Sequence, residues 1–428
     1  MNVCVIGAGY VGLTAAAFLS EIGHHVTCID QDTKKIESLQ NGFIPIFEPD
    51  LEDCITKNKS RLRFTNDLSS GLNTAEIIIL AVGTPSLPDG SSNLSYLNKA
   101  VSDVMDLLTS YKIIVVKSTV PPGTNGAILA SLKEKGYPPA LFDLVSNPEF
   151  LREGSALYDM KHPDRIVYGL ENENKALLIK LNELYRGIEA PVIVTNYAGA
   201  ELIKYASNAF LAAKISFINE MARICEFFDA DITHVAKGIG TDSRIGKAFL
   251  QAGLGYGGSC FPKDLKSLSF SAKEKGLKPH LLDAVQSVNT SQIDIYFEKI
   301  KTLFPNLSSM KIAVLGIAFK PNTDDIRESP AVALIKKLND FGCSMRAFDP
   351  KAFLPAELEM IEQSENPYDA LNEADITIIT TDWKEMIDLD WSQVHRLMRG
   401  RTVIDARNCL DQNKIRTAGL DYIGVGRL

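Results

Sequence analysis

Three glycines near the amino terminus constrain the fold of this chain more than any other feature of its sequence. The segment Gly7-Ala8-Gly9-Tyr10-Val11-Gly12 follows an apolar run at residues 2–6 and precedes a run of helical periodicity at residues 13–22. In a strand–turn–helix unit the first glycine permits the tight turn, the second lets the backbone approach a pyrophosphate, and the third allows the helix to pack closely on the strand. The pattern therefore predicts a Rossmann-like unit that binds a dinucleotide.

An acidic residue at the expected distance strengthens this prediction. Asp30 lies 18 positions after Gly12 and directly follows a second predicted strand, residues 25–29. A carboxylate at this place accepts hydrogen bonds from ribose hydroxyls and repels a 2′-phosphate, which favours NAD over NADP. Lys35 is a candidate for a further polar contact near the adenosine, although a single lysine of this kind more often lies at a solvated surface.

Alternating apolar and amphipathic segments predict α/β architecture in both halves of the chain. In the first half, apolar runs that predict a parallel sheet lie at residues 2–6, 25–29, 76–81, 113–117 and 144–146. Ligands of such sheets bind at the carboxyl ends of the strands, so we expect the loops that follow these runs to line one site. A second set of apolar runs lies at residues 311–315, 343–348, 375–380 and 402–405.

Residues 196–228 form one long helical segment without proline. It is apolar on most sides, which predicts a buried central connector that also packs against a second subunit; the alternative is a core helix of a monomer. We therefore predict an α/β fold with two Rossmann-like doubly wound domains joined by a long central helix, in a homodimer or dimer-based oligomer. The predicted domains are an NAD-binding domain (1–195), a central helical and dimerisation region (196–300) and a carboxyl-terminal Rossmann-like domain with altered ligand choice (301–428).

Charge and cysteine usage narrow the classes of partner and compartment. A formal net charge of -8 argues against a nucleic-acid partner, yet permits phosphate binding at helix amino termini. Seven scattered cysteines are typical of reduced thiols rather than of a disulfide framework. The first residues predict a strand rather than a signal peptide, and no apolar run is long enough to span a bilayer. We expect a cytoplasmic protein without a membrane partner. The six histidines have no metal-ligand spacing, so no metal is predicted.

The most informative stretch for chemistry is Gly257-Gly258-Ser259-Cys260-Phe261-Pro262-Lys263-Asp264. Two glycines allow the backbone to approach a ligand closely, and Cys260 follows at once. An isolated cysteine is usually a quiet buried thiol, but a nearby cation such as Lys263 favours the thiolate, which is a strong nucleophile. This neighbourhood predicts that Cys260 is a covalent nucleophile.

From end to end the chain resembles the UDP-glucose/GDP-mannose dehydrogenase family. The matching blocks, in the family's order, are the amino-terminal glycine segment, Val82-Gly83-Thr84-Pro85, Ser118-Thr119-Val120-Pro121-Pro122-Gly123-Thr124, Asn147-Pro148-Glu149-Phe150-Leu151-Arg152-Glu153-Gly154, the central helix with Lys204 and Asn208, residues 257–264, and Gly316-Ile317-Ala318-Phe319-Lys320. Because they occur together and in order, they are far more specific than any one of them. Within the family, the Ser-Cys-Phe-Pro-Lys-Asp run is most like the UDP-glucose group.

The resemblance implies a four-electron oxidation of a primary alcohol to a carboxylate, with two NAD per sugar and Cys260 carrying a thiohemiacetal and then a thioester. Lys204 and Asn208 share one helix face by their i, i+4 spacing and are candidates to stabilise oxyanions; alone they would be an exposed lysine and a surface amide. By resemblance Asp264 handles protons through a bound water. Glu149 activates the hydrolytic water and Thr119 orients it, although the segment 147–149 also predicts a helix start that Glu149 would cap.

The candidate cofactor and substrate residues follow mainly from the same resemblance, which places Arg244 in a neighbouring subunit's site and Glu153 near the nicotinamide. Candidate cofactor-binding residues are Gly7, Gly9, Tyr10, Val11, Gly12, Asp30, Lys35, Thr84, Thr119, Glu153, Lys263 and Arg327. Candidate substrate-binding residues are Glu149, Phe150, Leu151, Arg152, Glu153, Lys204, Asn208, Arg244, Phe249, Leu250, Gln251, Ala252, Gly253, Gly257, Cys260 and Lys320.

The resemblance favours oxidation of UDP-glucose to UDP-glucuronate, a precursor for polysaccharide biosynthesis. GDP-mannose and UDP-N-acetylmannosamine are the alternative substrates within the family. A non-catalytic protein that binds a sugar nucleotide is a further alternative, which the presence of Cys260, Lys204, Asn208, Asp264 and Glu149 disfavours. A hydroxyacid dehydrogenase that performs a single oxidation would share the first domain but would need no nucleophilic cysteine.

Overall fold

A computed structural model describes residues 1–427 of the chain. Short apolar runs separated by helices form the first sheet. Within these residues its strands are β1 (Asn2–Ile6), β2 (His25–Ile29), β3 (Leu62–Thr65), β4 (Ile77–Leu80), β5 (Lys112–Val116), β6 (Phe142–Ser146), β7 (Ile166–Gly169) and β8 (Val192–Thr195). They lie in the order β3-β2-β1-β4-β5-β6-β7-β8. The first six strands thus have the 3-2-1-4-5-6 order of dinucleotide-binding sheets.

The five strands predicted for this half are confirmed, with ends shifted by at most two residues. Strands β3, β7 and β8 were not predicted. β3 and β8 are edge strands of only four residues each; β3 alternates apolar and polar residues, and β8 is apolar but largely exposed. The five predicted strands are all parallel, as expected, whereas the unpredicted β7 runs antiparallel to β6.

The two faces of the first sheet pack into separate cores. Ile77 and Ile79 of β4 contact one apolar cluster, whereas Ile78 and Leu80 contact the other. All four side chains are almost completely buried. Because alternate residues of a strand point to opposite faces, a strand buried on both faces must be continuously apolar. Each such side chain stabilises the fold by about 1.5–3 kcal/mol.

Helices cover the first sheet and connect its strands. They are α1 (Tyr10–Glu21), α2 (Thr33–Gln40), α3 (Leu51–Lys57), α4 (Leu68–Thr74), α5 (Ser95–Leu107), α6 (Thr124–Glu134), α7 (Ala156–Lys161) and α8 (Lys175–Leu184), with a 3-10 turn at Pro139–Leu141. The prediction that the first helix begins at residue 13 is wrong, because α1 begins at Tyr10, directly after Gly9. The first turn of α1 is therefore part of the glycine segment itself.

The predicted central helix is confirmed as α9 (Tyr197–Phe227), a helix of 31 residues. In the single chain α9 is not buried on most sides, and its predicted packing against a second subunit stays a prediction. Phe210 is 69% exposed and Phe217 is 49% exposed. An apolar pattern that extends beyond the face packed on the same chain leaves such side chains at the surface.

The remaining helices and the second sheet follow α9. The helices are α10 (Ile232–Gly240), α11 (Phe261–Glu274), α12 (His280–Leu303), α13 (Pro330–Asp340), α14 (Pro367–Leu371), α15 (Lys384–Ile387), α16 (Trp391–Leu397) and α17 (Gln412–Thr417), with 3-10 turns at Leu307–Ser309 and Ala356–Leu358. The strands are β9 (Lys311–Leu315), β10 (Ser344–Phe348), β11 (Glu362–Gln363), β12 (Ile376–Ile379), β13 (Thr402–Asp405) and β14 (Asp421–Gly424). Their order is β11-β10-β9-β12-β13-β14, all parallel. The second Rossmann-like fold is thus confirmed.

The turn after β9 in the second sheet resembles the glycine turn after β1, but the acid that follows the next strand has different partners. Gly316 donates its N–H to the carbonyl of Phe348 at 2.8 Å, as Gly7 does to Ile29 at 2.7 Å. The acid that follows β10, Asp349, accepts four backbone N–H bonds and a bond from the Trp383 indole at 3.1 Å. Asp349 thus has five protein donors, whereas Asp30 has three, which leaves Asp349 less capacity to accept hydrogen bonds from a ribose.

The chain divides into two compact units. The first comprises Met1–Ser207 and Lys266–Leu277, and the second comprises Asn208–Leu265 and the chain from Lys278 onward. Helix α9 passes from one unit to the other, so Lys204 belongs to the first unit and Asn208 to the second. The three-domain boundaries expected from the sequence stay a prediction. Within residues 1–427, every helix is too short or too polar to cross a membrane.

Candidate active site

Contacts within the chain explain two of the three glycines in the turn after β1 and leave the third to be explained by a ligand. Gly7 has a left-handed φ of +103°, and a Cβ on Gly12 would lie 1.8 Å from the carbonyl oxygen of Gly7. The fold itself therefore requires glycine at both positions. A Cβ on Gly9 would meet nothing within 4 Å, so the chain does not require glycine there. Open space at this position, at the amino terminus of α1, fits the pyrophosphate of a dinucleotide.

Asp30 is held in place at the carboxyl end of β2. Its Oδ2 accepts the N–H of Ala8 at 2.9 Å and a bond from the Lys35 ammonium at 3.0 Å, and its Oδ1 accepts the N–H of Asp32 at 3.0 Å. Burial opposes the charge, but these hydrogen bonds and the Lys35 cation together hold the pKa of Asp30 below its usual value. The carboxylate is thus charged and oriented beside the glycine turn, as a ribose acceptor requires.

The loops after β4 and β5 are bonded to each other. The hydroxyl of Thr84 donates to the carbonyl of Thr119 at 2.7 Å, and the hydroxyl of Ser118 donates to the carbonyl of Val82 at 2.7 Å. Thr84 is buried and Thr119 is half-buried. These bonds bring the candidate residues Thr84 and Thr119 together at the carboxyl edge of the first sheet.

Glu149 and Lys204 form a buried ion pair within the first unit. Lys204 Nζ lies 3.0 Å from Glu149 Oε1, and the side chains are 3% and 5% exposed respectively. Glu149 Oε2 also accepts the N–H of Leu151 at 2.5 Å. No helix begins at residues 147–149, so the alternative role of Glu149 as a helix cap is wrong. Buried charges are retained when each has its counter-charge, which makes this pair a candidate for chemistry rather than for surface solvation.

The segment after Glu149 is anchored by acids. The guanidinium of Arg152 binds Asp159 through two nitrogen atoms, with a shortest distance of 2.5 Å. The N–H of Gly154 donates to the hydroxyl of Tyr10 and to Glu48, both at 2.7 Å. Glu153 lies between these anchors and is 9% exposed. Tyr10 and residues 152–154 are thus brought together in the first unit.

Phe150 packs between two cations of the first unit. Its ring centroid is 3.7 Å from the Arg165 guanidinium carbon and 5.6 Å from Lys204 Nζ. These contacts hold the aromatic side chain beside the buried ion pair.

In the second unit, Cys260 directly precedes the 14-residue helix α11. Asn208 Nδ2 donates to Asp264 Oδ2 at 2.6 Å, and Lys263 Nζ donates to Asp264 Oδ1 at 2.6 Å. The Ser259 hydroxyl lies 3.5 Å from the sulfur of Cys260. Asp264 is 1% exposed, whereas Cys260 is half-buried. A helix amino terminus and a nearby lysine are the surroundings in which cysteine thiolates are favoured.

The glycines before Cys260 are explained by contacts within the chain. A Cβ on Gly257 would lie 2.2 Å from the carbonyl oxygen of Glu328, and one on Gly258 would lie 2.6 Å from the ring of Phe319. Gly258 also donates its N–H to the carbonyl of Arg327 at 2.9 Å. The interpretation that these glycines are needed for close approach to a ligand is therefore unnecessary, because the fold already excludes a side chain at both positions.

The candidate substrate loop, residues 249–253, is mostly buried. Leu250 and Ala252 pack in the core of the second unit, and Phe249 has a left-handed φ of +63°. Gln251 is exposed and donates to the carbonyl of Arg407 at 2.7 Å. A Cβ on Gly253 would lie 2.9 Å from the carbonyl oxygen of Ala406.

The remaining basic candidates of the second unit lie nearer the surface. Arg327 forms an ion pair with Asp325 at 2.7 Å, and Lys320 lies 5.5 Å from the ring centroid of its neighbour Phe319. The side chain of Arg244 is 87% exposed and pairs with Asp242. Of the other candidates, Val11 lies in the first turn of α1, Gly257 precedes Cys260 by three residues, and Lys35 pairs with Asp30. Within residues 1–427, no cluster of three or more acidic, cysteine or histidine side chains could hold a metal ion.

The sequence reasoning missed three functional candidates. Glu201 of α9, 2% exposed, accepts the backbone N–H groups of Gly123 and Asn125 at the start of α6, at 2.5 and 2.8 Å. Lys117, 3% exposed, donates to Asn147 at 3.2 Å, two residues before Glu149. Arg407 follows β13 and pairs with Asp382 at 3.4 Å. The signal in the sequence was a charged residue inside an apolar segment. It could not be interpreted, because the partners of such a residue are distant in the sequence.

Comparison with known proteins covers the whole chain. Models of the UDP-glucose/GDP-mannose dehydrogenase family match it in three parts: the NAD binding domain at residues 1–189, the central domain at 198–291 and the UDP binding domain at 313–412. The UDP-glucose 6-dehydrogenase TuaD of Bacillus subtilis is 44% identical over 100% of this chain and 93% of its own. The UDP-glucose 6-dehydrogenase of Rhizobium meliloti is 41% identical over 100% of both chains.

Solved structures give the same picture. A UDP-glucose dehydrogenase from Pyrobaculum islandicum superposes with a TM-score of 0.90 at 36% identity, covering 100% of this chain and 98% of that chain. A UDP-D-ManNAc dehydrogenase from Pyrococcus horikoshii has a TM-score of 0.87 at 26% identity, covering 100% and 99%.

Proposed function

The chain belongs to the UDP-glucose/GDP-mannose dehydrogenase family and is an NAD-dependent sugar-nucleotide dehydrogenase, and we propose that it oxidises UDP-glucose to UDP-glucuronate. Relatives that carry the name UDP-glucose 6-dehydrogenase align over its full length at 41–44% identity. The dehydrogenase named for UDP-D-ManNAc is less similar, at 26%. These similarities favour UDP-glucose over the alternative sugar nucleotides.

One observation carries the proposed chemistry: Cys260 precedes helix α11, whose first turn holds the buried Asp264, which is bound by Lys263 of the same turn and by Asn208 of α9. A thiolate in such surroundings can form a covalent bond to the substrate. Covalent attachment lets one site perform two oxidations without release of a reactive aldehyde.

In the first oxidation, the C6 hydroxyl of the sugar loses its proton to Asp264 through a bound water. Hydrogen bonds from Asn208 and Lys263 hold the Asp264 carboxylate in a fixed orientation. When bound, NAD, which the glycine turn and Asp30 would hold, would supply the acceptor for the hydride removed in each oxidation. A positioned general base of this kind contributes about 10²- to 10⁴-fold to the rate.

The Cys260 thiolate then adds to the C6 aldehyde, forming a C–S bond and a thiohemiacetal oxyanion. Lys204 and Asn208, one turn apart on α9, supply a charged and a neutral donor for this oxygen. Removal of one such donor typically lowers kcat by about 10²- to 10³-fold. Loss of the remaining C6 hydride converts the thiohemiacetal to a thioester.

Hydrolysis completes the reaction. Glu149 takes a proton from a water that Thr119 orients, and the hydroxide attacks the thioester carbonyl. The C–S bond breaks, the electron pair returns to Cys260 as a thiolate, and the carboxylate product leaves. The Lys204 ammonium, 3.0 Å from Glu149 Oε1, holds this buried carboxylate in place as the proton acceptor.

The test is the number of NADH formed per UDP-glucose. We expect two for the wild type and near-zero turnover or a stalled intermediate for Cys260→Ser. Cys409→Ser is the matched control, because Cys409 is also half-buried but burial raises its pKa, which makes it a poor nucleophile. One NADH per sugar in the wild type, or an unaffected Cys260→Ser variant, would contradict the proposal. GDP-mannose and UDP-N-acetylmannosamine, assayed in parallel, decide the sugar nucleotide.

We also propose that α9 forms a homodimer interface. Phe210, Phe217 and Ile224 are spaced seven residues apart, which places them on one side of the helix, and they are 69%, 49% and 43% exposed. Large apolar side chains aligned in this way are typical of a protein interface. Light scattering after gel filtration tests this: Phe217→Glu should give a monomer, whereas Phe353→Glu, at another exposed site, should not. A monomeric wild type would contradict the proposal. Location in the cytoplasm stays a prediction.

A further inference from the structure

Residues 252–258, just before Cys260, form a buried loop without helix or strand. Buried backbone N–H and C=O groups need hydrogen-bond partners, and a loop cannot supply them from a regular ladder. Four of the hydrogen bonds to this loop come from side-chain carboxamides of α9 and α12, all within the second unit.

Gly253 is bound on both sides. Its N–H donates to Asn219 Oδ1 of α9 at 2.8 Å, and its carbonyl accepts from Gln292 Nε2 of α12 at 2.7 Å. Asn219 and Gln292 are both 0% exposed. One residue of the loop is therefore held by two helices at once.

Tyr256 is held in the same manner by one residue. Its N–H donates to Asn289 Oδ1 at 2.8 Å, and its carbonyl accepts from Asn289 Nδ2 at 3.0 Å. A carboxamide has one acceptor and one donor group, which matches the N–H and C=O of a backbone residue. Asn289 and Gln292 are three residues apart on α12, so they lie on the same face of the helix.

Arg223 determines which way the Gln292 amide points. Its guanidinium donates to Gln292 Oε1 from Nε at 2.9 Å and from Nη2 at 2.5 Å. Because a guanidinium has donors alone, the oxygen of the amide must face Arg223 and the nitrogen must face the carbonyl of Gly253. The same guanidinium also donates to the carbonyl of Val288 at 3.0 Å, which ties it to α12.

We propose that Asn219, Asn289 and Gln292 form a carboxamide clamp that positions Cys260 for attack on the substrate. The inference rests on the proposed role of Cys260 as the nucleophile. The clamp binds Gly253 and Tyr256, and the second of these lies four residues before Cys260. Displacement of a reacting group by about 1 Å lowers a rate by about 100-fold, so the hold on this loop matters to kcat. The three amides are positioning residues, since they act through the loop.

The decisive variant is Gln292→Glu. A carboxylate still accepts from Arg223, and forms an ion pair with it, but it cannot donate to the carbonyl of Gly253. We expect kcat to fall by about 5- to 30-fold with KM little changed, while the loss of one buried hydrogen bond lowers Tm by only about 2–4 °C. Hydrogen–deuterium exchange of the peptide that contains residues 252–258 should become faster, while exchange elsewhere in the second unit stays the same.

A second variant and a control accompany it. Asn289→Asp keeps the acceptor for the N–H of Tyr256 but loses the donor, and should have the same effects. Gln286→Glu introduces the same charge on α12 at a side chain that bonds to its own helix, to the carbonyl of Leu282 at 3.2 Å, and should behave as the wild type.

Three results would overturn the proposal: an unchanged kcat, unchanged exchange in the loop, or a fall in kcat with a larger fall in Tm than expected and faster exchange throughout the second unit. Failure of the proposed function is seen separately, as a wild type that forms fewer than two NADH from UDP-glucose. In that case kcat of the clamp variants is measured with the sugar nucleotide that the enzyme does oxidise. The exchange measurement is unaffected, since it does not depend on the substrate.

Discussion

The glycine turn offers a direct test of where the cofactor lies, through a comparison of Gly9→Ala with Gly12→Ala. Both variants add one methyl group to the same turn. At Gly12 the Cβ would lie 1.8 Å from the carbonyl oxygen of Gly7, whereas at Gly9 it would meet nothing within 4 Å of the chain. Gly12→Ala therefore strains the protein, whereas Gly9→Ala acts mainly on the cofactor that binds at the turn.

The magnitudes follow from these distances. Since Cβ contacts under 3.0 Å essentially never occur, the Gly12→Ala variant must move backbone by more than an ångström. Overpacking costs about 3 kcal/mol at the upper end of its range, and the better helix propensity of alanine returns about 1 kcal/mol. A net loss of about 2 kcal/mol in a unit of about 200 residues lowers Tm by about 4–8 °C.

Gly9→Ala should instead change the affinity for NAD. Its backbone, at φ -81° and ψ -171°, is open to alanine, and loss of a glycine N-cap lowers Tm by about 2 °C. A methyl group where the pyrophosphate lies should raise the KM for NAD by about 10- to 100-fold. Thermal melting and initial rates at varied NAD measure the two effects. A wild-type KM for NAD in Gly9→Ala, or a wild-type Tm in Gly12→Ala, would refute the reasoning.

Three further predictions concern buried charges. Asp30→Ala should raise the KM for NAD about 10- to 100-fold and weaken the preference over NADP, because a charged hydrogen-bond acceptor is lost; equal kinetics with both cofactors before and after the change would contradict this. Lys204→Met should destabilise the fold by about 3–5 kcal/mol in urea unfolding, since Glu149 loses its cation, and added Glu149→Met should recover most of the loss; additive losses would show that the two side chains are not coupled. Burial raises the pKa of Glu201 above its ordinary 4.5, despite N–H bonds from Asn125 and Gly123. The folded state therefore favours the protonated form, and the stability of the wild type relative to Glu201→Gln should be greatest below pH 4.5 and fall as pH rises through the raised pKa. Measurement of Tm against pH for both proteins tests this direction. A stability advantage of the wild type that grows as pH rises would contradict the prediction.

The fold could be predicted well where the pattern is local. The central strands were predicted because a strand buried on both faces is continuously apolar, as β4 is with Ile77, Ile78 and Ile79. Strands β3, β7 and β8 were missed because each has only four residues. The direction of β7 relative to β6 could not be predicted, because it depends on the path of the whole chain. The apolar pattern of α9 predicted that a second subunit packs on this helix, and the single chain leaves Phe210 and Phe217 exposed. Helical periodicity by itself does not say which chain covers a face.

The sequence by itself determined the parts of the site whose chemistry lies within a few residues: the glycine turn with its following Asp30, and Cys260 beside Lys263 and Asp264. Spacing alone defines such units, because adjacent residues stay close in any fold. Only the tertiary structure decided which distant groups meet: Glu149 binds Lys204 across 55 positions, and Asp264 binds Asn208 across 56. Nor does any local pattern show that the amide of Gln292 holds Gly253. A buried polar group must find a partner somewhere, but its own neighbourhood in the sequence does not say where, since the packing of sheets and helices makes that choice.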